Sequence, residues 1–172
     1  MPTPALRTTL CDLLHIDLPI IRAPIGSVAS AGLVAAVPNA GGLGMLSAVW
    51  RTAESTRQAM RGIRALTPHP FGVNLGFTFP IREQLDVCLE VGVPIISFLW
   101  GDAAPYVAEV HGAGALVTQT VASAEEALAL YAGQSVGLAT RIQSAGEIVA
   151  ELADGAAQAL RRGAALLDLA SD

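Results

Sequence analysis

The sequence predicts an α/β fold in which short apolar strands alternate with covering helices. Strand starts at Ile20, Leu43, Phe71, Ile95 and Ala115 are separated by 23, 28, 24 and 20 residues, the pattern of a βα repeat with parallel strands. The chain has 172 residues, of which 52% are hydrophobic and only 5% aromatic. Its core is therefore built from Ala, Val, Leu and Ile, the usual filling of parallel sheets covered by helices. Helix, then glycine, then strand recurs at Gly42, Gly92 and Gly114. Right-handed crossovers allow an open doubly wound sheet or a (β/α)8 barrel, and this regular return favours the barrel.

The elements follow in order. Met1 to Pro4 reads as a loose terminus, and Leu6, Leu10, Leu13 and Leu14 form a short helical stripe that could plug or flank the sheet. Ile20, Ile21 and Ala23 make a strand closed by Pro24 and Gly26, and Gly32 to Val37 is a small apolar helix ended by Pro38-Asn39. Gly41-Gly42-Leu43-Gly44 is tempting as a dinucleotide loop. Such loops follow a strand and open a helix, whereas these glycines follow a helix and lead into the strand Leu43 to Ser47. They read instead as a left-handed helix cap with a tight turn.

Thr52 to Leu66 is an amphipathic helix, with Ala53, Met60, Ile63 and Leu66 on one side and Arg57, Arg61 and Arg64 mostly on the other. Thr67-Pro68-His69-Pro70 stops it, and Phe71 to Leu75 is a strand whose end carries the amide of Asn74. Ile81 to Val91 is a helix with Leu85, Cys88 and Leu89 inward, followed by the strand Ile95 to Leu99. Asp102 is placed to cap the helix Ala103 to Val110, Ala115 to Gln119 is the fifth strand, and Ser123 caps a helix from Ala124 to about Tyr131. Ala132 to Gly137 has no strand behind it, and a helix runs from about Ser144 to Arg161. Five βα units plus a C-terminal helix make an incomplete barrel, since closure takes eight strands and ~250 residues.

Composition removes several function classes. Net charge is −5 and the sole basic cluster is Arg161-Arg162, so nucleic acid is not an expected partner. All ten basic residues are arginine, which excludes a Schiff-base lysine and a Walker-type phosphate lysine. Ala23 to Trp50 is uncharged, but Pro24, Pro38-Asn39 and repeated glycines break it short of a membrane span. Cys11 and Cys88 match no metal spacing and read as two reduced, partly buried thiols. With no basic, apolar leader at the N-terminus, the expected location is cytoplasmic, and no metal is expected.

Four stretches together resemble one family: Pro19-Ile20-Ile21-Arg22-Ala23-Pro24-Ile25, Asn39-Ala40-Gly41-Gly42-Leu43-Gly44-Met45, Phe71-Gly72-Val73-Asn74-Leu75, and Ser97-Phe98-Leu99-Trp100-Gly101-Asp102. In that order, and at those strand positions, they look like nitronate monooxygenase, formerly 2-nitropropane dioxygenase. The resemblance covers residues 10 to about 131, and Tyr131 to about Leu160 looks like the family's C-terminal segment. It implies a TIM barrel holding FMN across the C-terminal ends of its strands, a small-molecule alkyl nitronate as substrate, and oxidation with O2. The whole chain, 1–172, then reads as a single truncated domain of this type, with five βα units in 1–131 and the C-terminal segment in 132–172.

Carried over by position, Ala23, Pro24 and Ile25 match the family's first flavin-contacting strand end, or else simply terminate a strand. Asn74 matches an FMN-contacting amide. Gln119 sits similarly at the fifth strand, for flavin contact or turn bonding. Trp100 lines the nitronate pocket or covers the core, and Asp102 stands beside it as a pocket residue or a helix cap. Gly133 and Gln134 match a segment near the active-site mouth. Two departures stand out. Arg22 and Ile25 occupy positions where the family usually shows Gln and Met, which puts a cation near the flavin ring. The chain also passes from the fifth unit straight to the C-terminal segment, omitting the strands that carry a Gly-Gly-His histidine and the glycine loops of the FMN phosphate. His15, His69 and His111 do not replace that histidine, so no catalytic residue is assigned. Flavin-dependent enoyl-acyl carrier protein reductase shares the first-strand and Gly-Gly-Leu-Gly patterns and is the alternative enzyme. A non-catalytic half-barrel, self-associating through open sheet edges, is the alternative without chemistry.

Overall fold

The computed structural model describes residues 6–119, 141 and 143–168. Five strands, β1 (Ile21–Arg22), β2 (Leu43–Ser47), β3 (Phe71–Gly76), β4 (Ile95–Leu99) and β5 (Leu116–Gln119), form one sheet in the order β1-β2-β3-β4-β5 with every pair parallel. Six α-helices are described, α1 (Thr9–Leu14), α2 (Ala31–Asn39), α3 (Ala53–Leu66), α4 (Arg82–Val91), α5 (Ala104–Gly112) and α6 (Ala145–Asp168), with a 3-10 turn at Gly26–Val28. A strand order that never reverses settles the choice between the two architectures. A doubly wound sheet changes direction at a switch point, whereas a barrel adds each strand beside the last. The helix expected from Ala124 to Tyr131 and the Ala132 to Gly137 stretch lie outside the described residues.

Because each right-handed crossover advances in one direction, α2 to α5 fall on one face of the sheet. Leu46, Phe71, Val73, Leu75, Ile96 and Phe98 point to that face and pack with Val34, Met60, Ile63, Leu85, Cys88 and Val110 of the helices. Alternate residues Leu43, Met45 and Ile95 point to the other face, the inside of the barrel, where Cys11, Leu14 and Ile16 cover them. The α1 segment thus plugs the barrel interior. Of the expected stripe Leu6 and Leu14 are buried while Leu10 and Leu13 are exposed, and within α1 it is Cys11, not a leucine, that joins Leu14 on the inward edge, because a six-residue helix over a concave floor presents only one narrow edge. At the other margin α6 lays Val149 and Ala157 on Val37, Leu18 and Leu6.

Local chemistry accounts for the helix boundaries. Ser30 Oγ accepts the Leu33 N–H at 3.2 Å and Thr52 Oγ1 accepts the Ser55 N–H at 3.1 Å, so α2 and α3 are side-chain capped. Ser144 and Glu147 form a reciprocal capping box at α6, which holds the Glu147 carboxyl below the usual carboxylate range. Gly92 ends α4 at φ 72°. After α2, the Gly41 N–H donates to Pro38 O and the Gly42 N–H to Val37 O, with Gly41 at φ 93°, the helix cap expected from the sequence.

Gly42 and Gly44 do something more. A Cβ on Gly42 would stand 2.7 Å from the Ile20 carbonyl oxygen, and one on Gly44 would overlap the Val34 carbonyl oxygen and touch the Pro38 ring. The backbone of α2 therefore lies directly on β2. Gly44→Ala is expected to cost about 3 kcal/mol or more by overpacking. Gly92→Ala, which meets nothing within 4 Å, should cost only about 1 kcal/mol of backbone strain. Urea unfolding midpoints of the two variants measure the difference.

Candidate functional site

The C-terminal ends of the strands gather the residues singled out from the sequence. Register pairs Ser47 with Asn74, Asn74 with Ser97 and Ser97 with Thr118. These four lie in one row on the barrel-interior face, one layer above the apolar floor of Leu43, Met45 and Ile95. Ser47, Asn74 and Ser97 are buried, and Thr118 is exposed at the sheet margin. The Asn74 amide Nδ2 lies 3.2 Å from Ser97 Oγ and 3.4 Å from Ser97 O, which fixes the side chain across the β3–β4 gap. Burying an amide costs free energy unless it is bonded, and this one is. Of this row, the sequence singled out Asn74 alone. Ser47, Ser97 and Thr118 were missed, and the signal that could have found them is the register: each sits at the equivalent place in its strand.

Gln119 stands one residue further on, in register with Phe98, and so falls on the opposite parity from this row. Its amide donates to the Gly101 carbonyl, the turn bonding that was one of its two expected roles. Asp102 Oδ1 accepts the Ala104 N–H at 2.9 Å and so caps α5, while remaining exposed at the mouth. Trp100 is 42% exposed and has φ 60°, a backbone region unusual for an aromatic residue and one that concentrates at functional sites. Its ring approaches Gly76, which would otherwise hold a Cβ against Val49 and Trp100. Ala23 and Ile25 are exposed and Pro24 half-buried at the end of β1.

Two arginines organise the same end. In the β1–β2 ladder the Leu43 N–H donates to Ile20 O at 2.8 Å. Two steps further along a parallel ladder, the N–H of residue 24 would meet the Met45 carbonyl, but Pro24 has no N–H. Arg22 supplies the missing donor, Nη1 to Met45 O at 2.9 Å. Its Nε and Nη2 are buried without a partner among the described residues, and burial pulls its pKa down. Arg51 donates Nε to Ser47 O and Nη2 to Ala29 O, each at 3.1 Å, while its own carbonyl accepts Gln84 Nε2 at 2.9 Å. It thereby ties the loop after β1, the end of β2 and the first turn of α4. Nothing in the composition distinguished Arg51 from its nine fellow arginines, because carbonyl partners leave no charge pattern in a sequence.

Among the described residues, the cysteine and histidine side chains lie away from this mouth or are chemically quiet. Cys88 is buried, which pushes its thiol up to about 12, so it is protonated and not a nucleophile at neutral pH. His15 ends α1, His69 lies between α3 and β3, and His111 lies in the last turn of α5. All three are at the end of the barrel opposite the mouth. Among the described residues no cluster of His, Cys, Asp or Glu could hold a metal ion. Arg51→Met is expected to cost about 2–3 kcal/mol by removing charge-assisted bonds to two carbonyls. Hydrogen exchange should then quicken at the Ala29 loop and the β2 end first, with the α4–α5 side unchanged.

Comparison with known proteins places the chain. The family model described as nitronate monooxygenase matches residues 7–82. The chain is 33% identical over 123 residues to (3aS,4S,5R,7aS)-5-hydroxy-7a-methyl-1-oxo-octahydro-1H-indene-4-carboxyl-CoA dehydrogenase of Mycobacterium tuberculosis, covering 71% of this chain and 35% of that protein. It is 46% identical over 84 residues to nitronate monooxygenase of Paraburkholderia phytofirmans, covering 49% of this chain and 22% of that one. Among solved structures, FabK from Thermotoga maritima superposes with a TM-score of 0.66 at 35% identity, covering 68% of this chain and 38% of that chain. The chain thus spans between a fifth and two fifths of the length of these relatives. Residues 7–82, which include glycine-seated α2 and the β3 member of the polar row, match the nitronate monooxygenase family, and the chain is similar to members of that family over this stretch.

Proposed function

We propose that the mouth at the strand ends holds the isoalloxazine ring of FMN and that the protein works in oxidation of alkyl nitronates with O2. The observation that carries this reading is the row Ser47–Asn74–Ser97–Thr118, a polar layer across four adjacent strands directly above an apolar floor. The donor set fits a flavin ring, whose edge offers acceptors to amide and hydroxyl groups, and the exposed Ala23, Pro24 and Ile25 leave the end of β1 open to it. FMN supplies the redox chemistry when bound. Asn74, pinned to Ser97, orients the ring edge, and Trp100 shields the space above it from water. Arg22 places a positive charge beside the Met45 carbonyl at the margin, which favours an anionic substrate.

The phosphate is served less well. The N-termini of α2, α3 and α5 each have one first-turn N–H already bonded to Ser30, Thr52 and Asp102, which leaves fewer donors for it, and Asp102 adds a like charge at α5. A second reading, reduction of an enoyl thioester by a flavin-dependent enzyme, is favoured by the likeness to FabK. No helix among the described residues is long and apolar enough to cross a membrane, in keeping with a cytoplasmic protein. The edge available for self-association is β5, since β1 is two residues long and flanked by Pro19 and Pro24.

Titration of the purified chain with FMN, followed by flavin fluorescence, is expected to saturate, and Asn74→Ala should weaken binding about tenfold. Oxygen uptake with ethyl nitronate supports the nitronate reading, and NAD(P)H oxidation with an enoyl thioester supports the second. A colourless protein that never takes up flavin overturns both and leaves a non-catalytic half-barrel.

A further inference from the structure

The helix α6 has two apolar faces, and the body of the protein uses one. Val149, Ala153 and Ala157 pack in one cluster with Val37, Leu18 and Leu6. Ile148, Leu152, Gly155 and Ala159 recur at intervals of four, three and four residues on a second face, the spacing that keeps one stripe along an α-helix. All four are exposed, Ile148 by 44% and Leu152 by 55%. Gly155 is the informative member. It lies within the helix, outside the left-handed region, and a Cβ there would meet nothing within 4 Å. Neither the backbone nor the packing of this chain calls for glycine, and in an exposed helix interior it is a poor choice on propensity alone. A second element packed closely against the helix backbone gives it a use.

The order of residues along the stripe says what that element is. The large side chains come first and the small ones last. A copy of the same helix laid antiparallel sets Ile148 against Ala159 and Leu152 against Gly155, and the two-fold axis repeats both pairs, so every layer opposes one large and one small residue. A parallel copy would set Ile148 on Ile148 and Gly155 on Gly155, crowding one layer and leaving a void in another. Charge runs the same way. Beside the stripe Glu147 and Glu151 come early and Arg162 late. Antiparallel pairing brings Glu147 of each copy within a helical turn of Arg162 of the other and Glu151 beside Gln158, whereas parallel pairing stacks like charges. Arg162 belongs to none of the ion pairs among the described residues, so its charge is available.

We propose that the outer face of α6 is a self-complementary docking surface whose occupant is the same face of a second copy of this chain, antiparallel about a two-fold axis. It shares no residue with the mouth at the strand ends or with the β5 edge, and stands independently of the flavin reading. One helix from each copy makes an interface at the small end of the range, so the dimer is weak and concentration-dependent.

Sedimentation equilibrium of the purified chain from low micromolar to millimolar concentration tests it, and is expected to show monomer passing into dimer. Leu152→Glu, which puts a carboxylate in the stripe, should abolish the dimer. Gly155→Leu raises helix propensity and should leave the thermal melt of the monomer unchanged or higher, yet it should abolish the dimer too, because Leu152 of the other copy needs that space. Arg162→Glu and Glu147→Arg each bring like charges together and should weaken self-association about fivefold or more at low salt. An equimolar mixture of those two variants should regain it as a heterodimer, since each then opposes the other's charge. Should Glu147→Arg lose the α6 cap and its helicity by circular dichroism, Gly155→Leu and Leu152→Glu carry the test. A chain that stays monomeric throughout that range, or a dimer that survives both stripe variants and so uses another surface such as the β5 edge, overturns the proposal.

Discussion

The close seat of α2 on β2 is the constraint on which the rest of the sheet depends. Pro38 sits inside the last turn of α2 and cannot donate to the Val34 carbonyl four residues back. That carbonyl instead meets the bare Cα of Gly44, a contact of the Cα–H···O kind that close backbone approach permits. With the helix axis brought this near, Val34, Ala35 and Val37 are buried against the sheet although none is large. A core with few aromatics can be close-packed only when backbones approach, because small side chains do not span a wide gap. The three glycines of one short motif thus do two jobs: Gly41 turns the chain, and Gly42 and Gly44 admit the helix.

From that seat the layers follow. Strand alternation sends one set of residues to the helices and the other to the interior. The interior set changes character along the strands, from Leu43, Met45 and Ile95 under the α1 plug to Ser47, Asn74 and Ser97 above it. An apolar floor beneath a buried polar row sets its hydrogen-bonding groups at one end of the barrel. Arg51 and Arg22 secure those loops through carbonyls instead of carboxylates. Their charge is consequently not cancelled locally, unlike that of Arg82, which bonds Asp86 and Glu109 on the outer surface and holds the Glu109 carboxyl below its ordinary range.

The open sheet is better protected than five strands imply. Exposed edges and uncovered apolar faces invite pairing with other chains. Here the interior floor is covered by α1, the β1 edge is reduced to two residues between prolines, and the lower margin of β1 is covered by α6. Arg22 completes the defence by occupying the Met45 carbonyl that Pro24 leaves free.

Hydrophobic periodicity and glycine placement were enough to locate β2, β4 and the helix α3 almost to the residue, because each is a short apolar run or a strong amphipathic stripe bounded by its own caps. The cap at Gly41, the Asp102 bond to α5 and the place of Asn74 at the β3 end were legible for the same reason: each lies within a few residues of its partner or at a recognisable strand end. Strand order was legible only as the preference for a barrel that the glycine returns at Gly42, Gly92 and Gly114 gave, since crossover spacing is the same for a sheet that reverses and one that does not. Nor were the close approach at Gly44, the roles of Arg22 and Arg51, or the alignment of Ser47, Ser97 and Thr118 with Asn74. Those depend on how separate elements pack, from Gly44 against Val34 ten positions away to Arg22 on Met45, Arg51 on Ala29 and Asn74 on Ser97 more than twenty positions away, which local propensity cannot encode and only the packed sheet brings into register.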